Sequence, residues 1–213
     1  MERTIRVTGR GRIAVSPDTV RLLMNITRLQ PEYSAAAEAG AQAQQNLCGV
    51  LAGFGFAEQD LKTLSWNTGA EHESYQEEGA WRQRLVGYRC THRMKLEFPL
   101  DTARLSAVLT ALADCEAMPE LELEFTVADV EPSRTALLEQ AVKDSRRKAA
   151  ALTAAAGVAL GQVQSIDYSW GEVDLCVRPM AADLMRMEKA AVPDMTPEDI
   201  QLEDTVTVVW ELV

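Results

Sequence analysis

Two widely separated stretches of the chain follow the same order of patterns. In residues 29–55 and 130–157, a proline near the start is followed by apolar residues at helical spacing and then by a closing glycine. Alternating segments flank both stretches, so each is predicted to form a strand, a helix and a second strand. The sequence therefore predicts a duplicated strand-helix-strand unit, with copies at approximately residues 12–70 and 120–175.

The inward-facing stripes of the two predicted helices set the register of this repeat. The first stripe is rich in small residues, so its packing partner can approach closely, and Gly53 or Gly55 can supply a left-handed stop. The second stripe comprises Leu138, Ala141, Val142, Ser145, Ala149, Leu152 and Ala156. Its last three residues lie at one constant offset from Leu47, Val50 and Phe54 of the first stripe. This agreement supports the duplication.

Further alternation of apolar and polar residues predicts a mostly antiparallel sheet with one covered face. It occurs in residues 90–98, 121–127 and 205–212. Residues 61–75 predict another strand, joined to the next by a hairpin turn near Glu78-Gly79.

The amino-terminal segment contains two interruptions. Residues 13–26 predict a long strand that is interrupted near Ser16-Pro17-Asp18, where proline requires a bulge, a bend or an edge. We interpret Gly9-Arg10-Gly11 as a turn between two strands rather than as a phosphate-binding loop. Farther along, Asp101 is a suitable N-cap for a short helix.

A strand is predicted from Val163 to Leu175, and an irregular connection follows from Val177 to Gln201. The connection holds three prolines and four methionines. Connections of this length often carry a function or reach a neighbour, and methionines suit adaptable apolar interfaces. The connection is equally consistent with a mobile surface loop. The candidate oligomer contacts are Met180, Met185, Met187 and the hairpin residue Trp81.

The charge balance argues against two classes of partner. The 213 residues carry 21 basic and 32 acidic side chains, a net charge of -11, which opposes binding to nucleic acid and to anionic membrane surfaces. No segment approaches the roughly 20 apolar residues that span a bilayer. With 47% hydrophobic residues, we expect a globular protein that neither binds nucleic acid nor inserts into a membrane.

Cys90 and His92 share one strand face, which is the geometry of a thiolate-imidazole pair or of half a metal site. Together with Tyr88 they are the candidate ligand-binding residues, although their apolar neighbours favour a position in the core. His72 fits a solvated loop better than a cation site. No third ligand is found at useful spacing, so no metal is predicted.

The basic run Arg146-Arg147-Lys148 favours a solvated helix face over a phosphate contact. On the outward strand face, Arg93 and Lys95 would pair with Glu122 and Glu124 if their strands are neighbours. The four cysteines lack C-x-x-C spacing, and G-x-S-x-G and H-E-x-x-H are absent. We therefore predict no catalytic residues, no cofactor and no enzymatic activity.

Several segments, taken in order, resemble the SIMPL-domain family, which includes the periplasmic immunogenic proteins of bacteria. They are Val7-Thr8-Gly9-Arg10-Gly11 with Val15-Ser16-Pro17-Asp18, then Gly87-Tyr88-Arg89, the run KAAALTAAAGVAL at 148–160, and the closing Thr205 to Leu212.

The resemblance implies a single α+β domain over residues 1–213. In it, two long helices and one shorter helix pack on one face of a mostly antiparallel sheet, and a loop with a final strand occupies residues 177–213. It also implies assembly into rings or larger homo-oligomers, with links to the cell envelope and to oxidative stress. The family has no established catalytic residues.

The expected compartment depends on the native start of the chain. If Met1 is that start, the protein is expected in the cytoplasm, because residues 1–7 lack the apolar core of a signal peptide. If a leader was removed, as the secretory leaders of family members suggest, the protein is extracytoplasmic.

Two hypotheses of function follow. The first is a non-enzymatic oligomeric scaffold or a stress- and envelope-associated protein. The second is a small-molecule-binding protein with a cleft between the helices and the sheet, which requires a pocket with converging polar groups.

Overall fold

The computed structural model describes residues 3–77, 79–168, 176–177 and 195–213. Three helices and antiparallel strands confirm the expected α+β class. The elements are β1 (Thr4–Val15), β2 (Thr19–Gln30), α1 (Tyr33–Ala52), β3 (Lys62–Glu77), β4 (Ala80–Pro99), α2 (Thr102–Ala113), β5 (Glu120–Thr126), α3 (Glu131–Ala156), β6 (Leu160–Asp167) and β7 (Ile200–Leu212). None of the described helices combines the length and apolar character needed to cross a membrane.

The described strands form two sheets, so the expectation of one continuous sheet was wrong. The first sheet has the order β1-β7-β6 and the second the order β3-β4-β2-β5. The predicted long strand over residues 13–26 is in fact two strands, since β1 ends before Ser16-Pro17-Asp18 and β2 begins after it. Alternation shows which face of a strand is covered, but it does not identify the neighbouring strand.

One compact unit comprises the described residues of 3–18, 126–177 and 197–213. Its sheet is β1-β7-β6, and α3 packs against β1 and β7 through small buried side chains. The buried set consists of Val7, Val206, Val208 and Trp210 on the strands with Ala141 and Ala149 on α3. Because the buried α3 residues of this set are both alanines, the helix lies close to the strands.

Gly9-Arg10-Gly11 lies in the middle of β1 and does not form the expected turn. The close approach of α3 to β1 explains the two glycines. A Cβ atom on Gly9 would lie 1.9 Å from the carbonyl oxygen of Ala141, and one on Gly11 would lie 2.1 Å from that of Leu137. The two glycines therefore leave room for the backbone of α3, and their role is packing rather than turning.

The other compact unit comprises the described residues of 19–125 together with 195–196. Helices α1 and α2 contribute Leu47, Leu51, Leu105 and Leu112 to a core that also contains Leu22 and Leu96 from the sheet. Met195, from the methionine-rich connection, packs against this core. Met195 is the one methionine of that connection that the structure describes, and it packs within its own chain.

Two helix boundaries follow local rules. Asp101 caps α2 as predicted, since its Oδ1 accepts a hydrogen bond from the backbone N–H of Arg104 at 3.0 Å. After α1, Gly55 has a φ of 79°, the left-handed conformation that glycine adopts without strain, whereas Gly53 remains right-handed.

The buried stripe of α3 differs from the predicted one. It consists of Leu137, Ala141, Ser145, Ala149 and Thr153. Leu152, which was expected to face inward, is 54% exposed, and Ala156 is exposed as well. The prediction gave weight to the larger leucine, although the close helix–strand contact selects small residues for the inward face.

Within the two predicted copies, the order strand, helix, strand is formed by β2-α1-β3 and by β5-α3-β6; β4-α2-β5 has the same order between them. The two predicted copies differ in pairing, because β2 and β3 belong to one sheet whereas β5 and β6 belong to different sheets. The internal repeat and the single-domain organisation stay predictions.

Some predictions concern residues that the structure does not describe. Met180, Met185 and Met187 are among them, as are Glu78 of the hairpin turn and residues 169–175 of the predicted strand that begins at Val163.

Candidate functional site

The most exposed structured feature is the outer part of the β3–β4 hairpin, residues 71–86, called the arm below. Its strands pair in continuous antiparallel register from Glu77 and Ala80 to His72 and Leu85. Not one of the described residues of the arm is buried. A two-stranded ribbon without a covered face is only marginally stable in water. The arm therefore has the character of a segment that another surface covers.

One face of the arm is ionic. Arg84 forms an ion pair with Glu73, and its guanidinium lies 5.5 Å from the ring centre of Tyr75. Arg82 Nη1 lies 2.9 Å from Glu77 Oε2. The opposite charges on this face therefore neutralise one another.

At the base of the arm, Arg89 donates to both carboxylate oxygens of Glu71, at 2.8 and 2.9 Å. The hydrogen bond from Arg89 lowers the pKa of Glu71 below its usual value. This fork-shaped pair fixes the geometry of the hairpin where it leaves the body of the sheet.

The opposite face of the arm, called its apolar face below, exposes two large apolar side chains among polar ones. Trp81 and Leu85 lie four residues apart on β4, so they point to the same side, and they are 74% and 51% exposed. Their cross-strand neighbours on β3 are Gln76 and His72. Trp81 was predicted from the sequence as a contact, and Leu85 was missed. The alternation of Trp81, Gln83 and Leu85 was the available signal.

Tyr88, Cys90 and His92 lie farther along β4, beyond the arm. Cys90 and His92 are each 1% exposed, and Tyr88 is half-buried with its ring edge-on to Tyr33. A Cβ atom on Gly40 of α1 would lie 2.6 Å from Cys90 Sγ, so the helix lies directly over this position. The two candidates of the thiolate-imidazole hypothesis are therefore packed in the core.

His92 is nevertheless polar and incompletely bonded. Its Nε2 lies 2.9 Å from Thr63 Oγ1, and its ring meets the Trp66 ring edge-on at 4.6 Å between centres. No described group bonds to Nδ1, and Thr68 Oγ1 on the neighbouring strand is in the same situation. Burial lowers the pKa of His92 below the usual value for histidine.

A shallow pocket of about 170 Å³ lies elsewhere on the same sheet. It is lined by Leu23, Met24, Asn25, Arg93, Glu120, Leu121 and Glu122. Asn25 Nδ2 donates to Glu120 Oε2 at 2.8 Å, whereas no described group donates to the buried Asn25 Oδ1. Tyr88, Cys90 and His92 do not line this pocket.

The condition for pairing Arg93 and Lys95 with Glu122 and Glu124 is not met, because β2 lies between β4 and β5. The buried Glu124 instead lies 3.3 Å from Arg21 Nη1 of β2. Lys95 lies 3.1 Å from Glu97 of its own strand.

His72 is exposed on the arm. Among the described residues, no cluster of three or more histidine, cysteine, aspartate or glutamate side chains has the arrangement of a metal site. In the basic run, Arg147 and Lys148 both pair with Asp144, at 2.6 and 2.7 Å.

These features define the class of the protein: an α+β protein of antiparallel sheets with an exposed arm. A family model described as "SIMPL: Protein of unknown function (DUF541)" matches residues 5–210, so the chain belongs to the SIMPL family. A comparison with curated proteins gave no match. Among solved structures, CutA from Synechococcus elongatus PCC7942 is similar over 60% of this chain and 95% of its own, at 16% identity and a TM-score of 0.21. A likeness at that TM-score supports no conclusion about fold or function.

Proposed function

We propose that the protein is a non-enzymatic scaffold that assembles with further copies of itself through the apolar face of the arm. The observation that carries the proposal is the exposure of Trp81 and Leu85 on the arm, none of whose described residues is buried. We propose that such a scaffold acts at the cell envelope and in the response to stress, as the resemblance to SIMPL relatives implies.

The chemistry of the arm suits contact between proteins. Tryptophan, tyrosine and arginine are enriched where protein surfaces meet, and tryptophan often carries much of the binding free energy. The arm offers Trp81 and Leu85 on one face, and on the other it holds Arg82 and Arg84 in ion pairs with two of its glutamates. Covering the apolar face would therefore remove hydrophobic surface from water without burying an unpaired charge.

A second copy of this chain is the occupant that the charges favour. Residues 71–86 contain four glutamates and two arginines, a net charge of -2, whereas the whole chain carries -11. Two copies meeting elsewhere bring like charges together, which opposes association. Two arms meet with a small net charge on either side.

The first test is the assembly state in solution. We expect the native protein to sediment as an oligomer at tens of micromolar and Trp81→Ser to shift the distribution to smaller species, because the substitution removes the largest exposed apolar side chain of the arm. Sedimentation velocity measures the masses directly.

Leu152→Ser is the matched control, since Leu152 is also an exposed apolar residue but belongs to α3 and not to the arm. Its mass distribution should equal that of the native protein. A native protein that is monomeric at this concentration, or a Trp81→Ser variant that assembles unchanged, would refute the proposal.

A further inference from the structure

Strand β1 is an edge strand of the β1-β7-β6 sheet. The backbone groups on the outer side of an edge strand are unpaired within their sheet, so they can pair with a strand of another molecule. How this edge is satisfied decides whether β1 is open to such pairing.

Three side chains of α3 bond to the outer backbone groups of β1. Asp144 Oδ2 accepts from the N–H of Arg10 at 2.9 Å, and Gln140 Oε1 accepts from the N–H of Arg12 at 3.4 Å. Lys148 Nζ donates to the carbonyl oxygen of Thr8 at 3.2 Å. Two backbone N–H groups and one carbonyl oxygen at successive outward positions of β1 are therefore hydrogen-bonded to side chains of α3.

The spacing of these contacts is systematic. Residues two apart in a strand present backbone groups on the same side about 6.8 Å apart, and residues four apart in a helix lie about 6 Å apart along its axis. Gln140, Asp144 and Lys148 are spaced by four, and Arg12, Arg10 and Thr8 by two. A polar stripe of α3 therefore matches the period of the β1 edge, as a neighbouring strand does.

Gly9 and Gly11 make the match possible. Each would place a Cβ atom within 2.1 Å of a carbonyl oxygen of α3, so any larger residue would push the helix away from the strand. With the helix displaced, the side chains of Gln140 and Asp144 would not reach the amides of Arg12 and Arg10.

Asp144 is held in its charged, accepting form. Lys148 and Arg147 both lie within 2.7 Å of its carboxylate. The hydrogen bonds from these two residues and from the Arg10 amide keep the pKa of Asp144 well below its usual value. The acceptor is consequently available at any physiological pH.

We propose that α3 serves as a substitute strand that closes the β1 edge, and that Gln140 and Asp144 thereby prevent β1 from pairing with a strand of a second copy of this chain. The inference goes beyond the assembly proposed for the arm and stands independently of it.

The test uses Gln140→Ala/Asp144→Ala in the Trp81→Ser background, so that the arm contact does not contribute. We expect the amides of Arg10 and Arg12 to exchange with solvent deuterium about fivefold faster or more, since each loses its hydrogen-bond acceptor. We also expect the mean mass in sedimentation to rise with protein concentration above that of the Trp81→Ser parent.

Glu139→Ala/Lys143→Ala is the matched control. It removes an i,i+4 ion pair from the exposed face of α3, and neither residue bonds to β1 among the described contacts. Its amide exchange and its mass should equal those of the parent.

Should the double variant not fold, Gln140→Ala alone must accelerate exchange at Arg12 and leave Arg10 unchanged. Unchanged exchange at Arg12 overturns the proposal. Faster exchange in the folded double variant without any gain in mass also overturns it, because the edge would then be open and still not pair.

Discussion

Gly9→Ala is expected to lower the free energy of unfolding by about 3 kcal/mol or more, the upper range for overpacking. The added Cβ atom would lie 1.9 Å from the Ala141 carbonyl oxygen and 2.5 Å from the Ser145 backbone nitrogen. Both are backbone atoms of α3, so no side-chain rotation relieves the clash and the helix itself must move. Urea denaturation followed by circular dichroism measures the loss.

Gly49→Ala is the matched control for this substitution. Gly49 lies within α1, and a Cβ atom added there meets nothing within 4 Å. Alanine is the better helix former, so the variant should gain about 0.5–1 kcal/mol. A Gly9→Ala protein within about 1 kcal/mol of the native value, less than overpacking usually costs, would show that α3 does not press on β1 as described.

The features that the sequence predicted well depend on neighbouring residues. The cap at Asp101 and the strand alternation around Cys90 and His92 involve contacts within a few residues, or a pattern of period two. Such signals are present in any short window of the chain, so they were available without knowledge of the partner elements.

The misinterpreted features depend on distant partners. Gly9 and Gly11 carry the usual signal of a turn, yet the reason for both glycines is a helix more than a hundred residues later in the chain. Leu152 appeared to belong to the inward stripe because leucine is usually buried, whereas the stripe continues from Ala149 to Thr153 and leaves Leu152 exposed. The distance between two elements cannot be obtained from the pattern of either one.

The candidate site was predictable in part for the same reason. Trp81 beside a hairpin signal indicated an exposed aromatic residue, and the structure places it on the arm. The ionic face required the exact register of β3 against β4, which sets Glu73 opposite Arg84. A bulge near Glu71 shifts that register, and no local pattern in the sequence indicates its position.

The native protein is expected to lose stability as the pH falls from about 7 to 5, because His92 is buried and its pKa lies below the usual histidine value of about 6.5. Its described polar and aromatic partners, Thr63 and Trp66, carry no charge that would compensate an imidazolium. In this window the unfolded chain binds a proton that the folded chain does not. Stability is therefore complete above the usual pKa and declines by up to about 1.4 kcal/mol per pH unit until the lowered pKa is reached.

The comparison of His92→Leu with the native protein isolates this effect, since carboxylates contribute equally to both and cancel in the difference. Urea denaturation at several pH values should give a difference that changes with pH only through the titration of His92. The chain has one other histidine, His72, which is exposed on the arm, so His72→Gln should retain the native pH dependence. A His92→Leu protein whose stability falls with pH as steeply as the native one would mean that the folded state accommodates the charged ring. The core beneath α1 would then have to supply an acceptor for Nδ1, the atom that lacks one among the described groups.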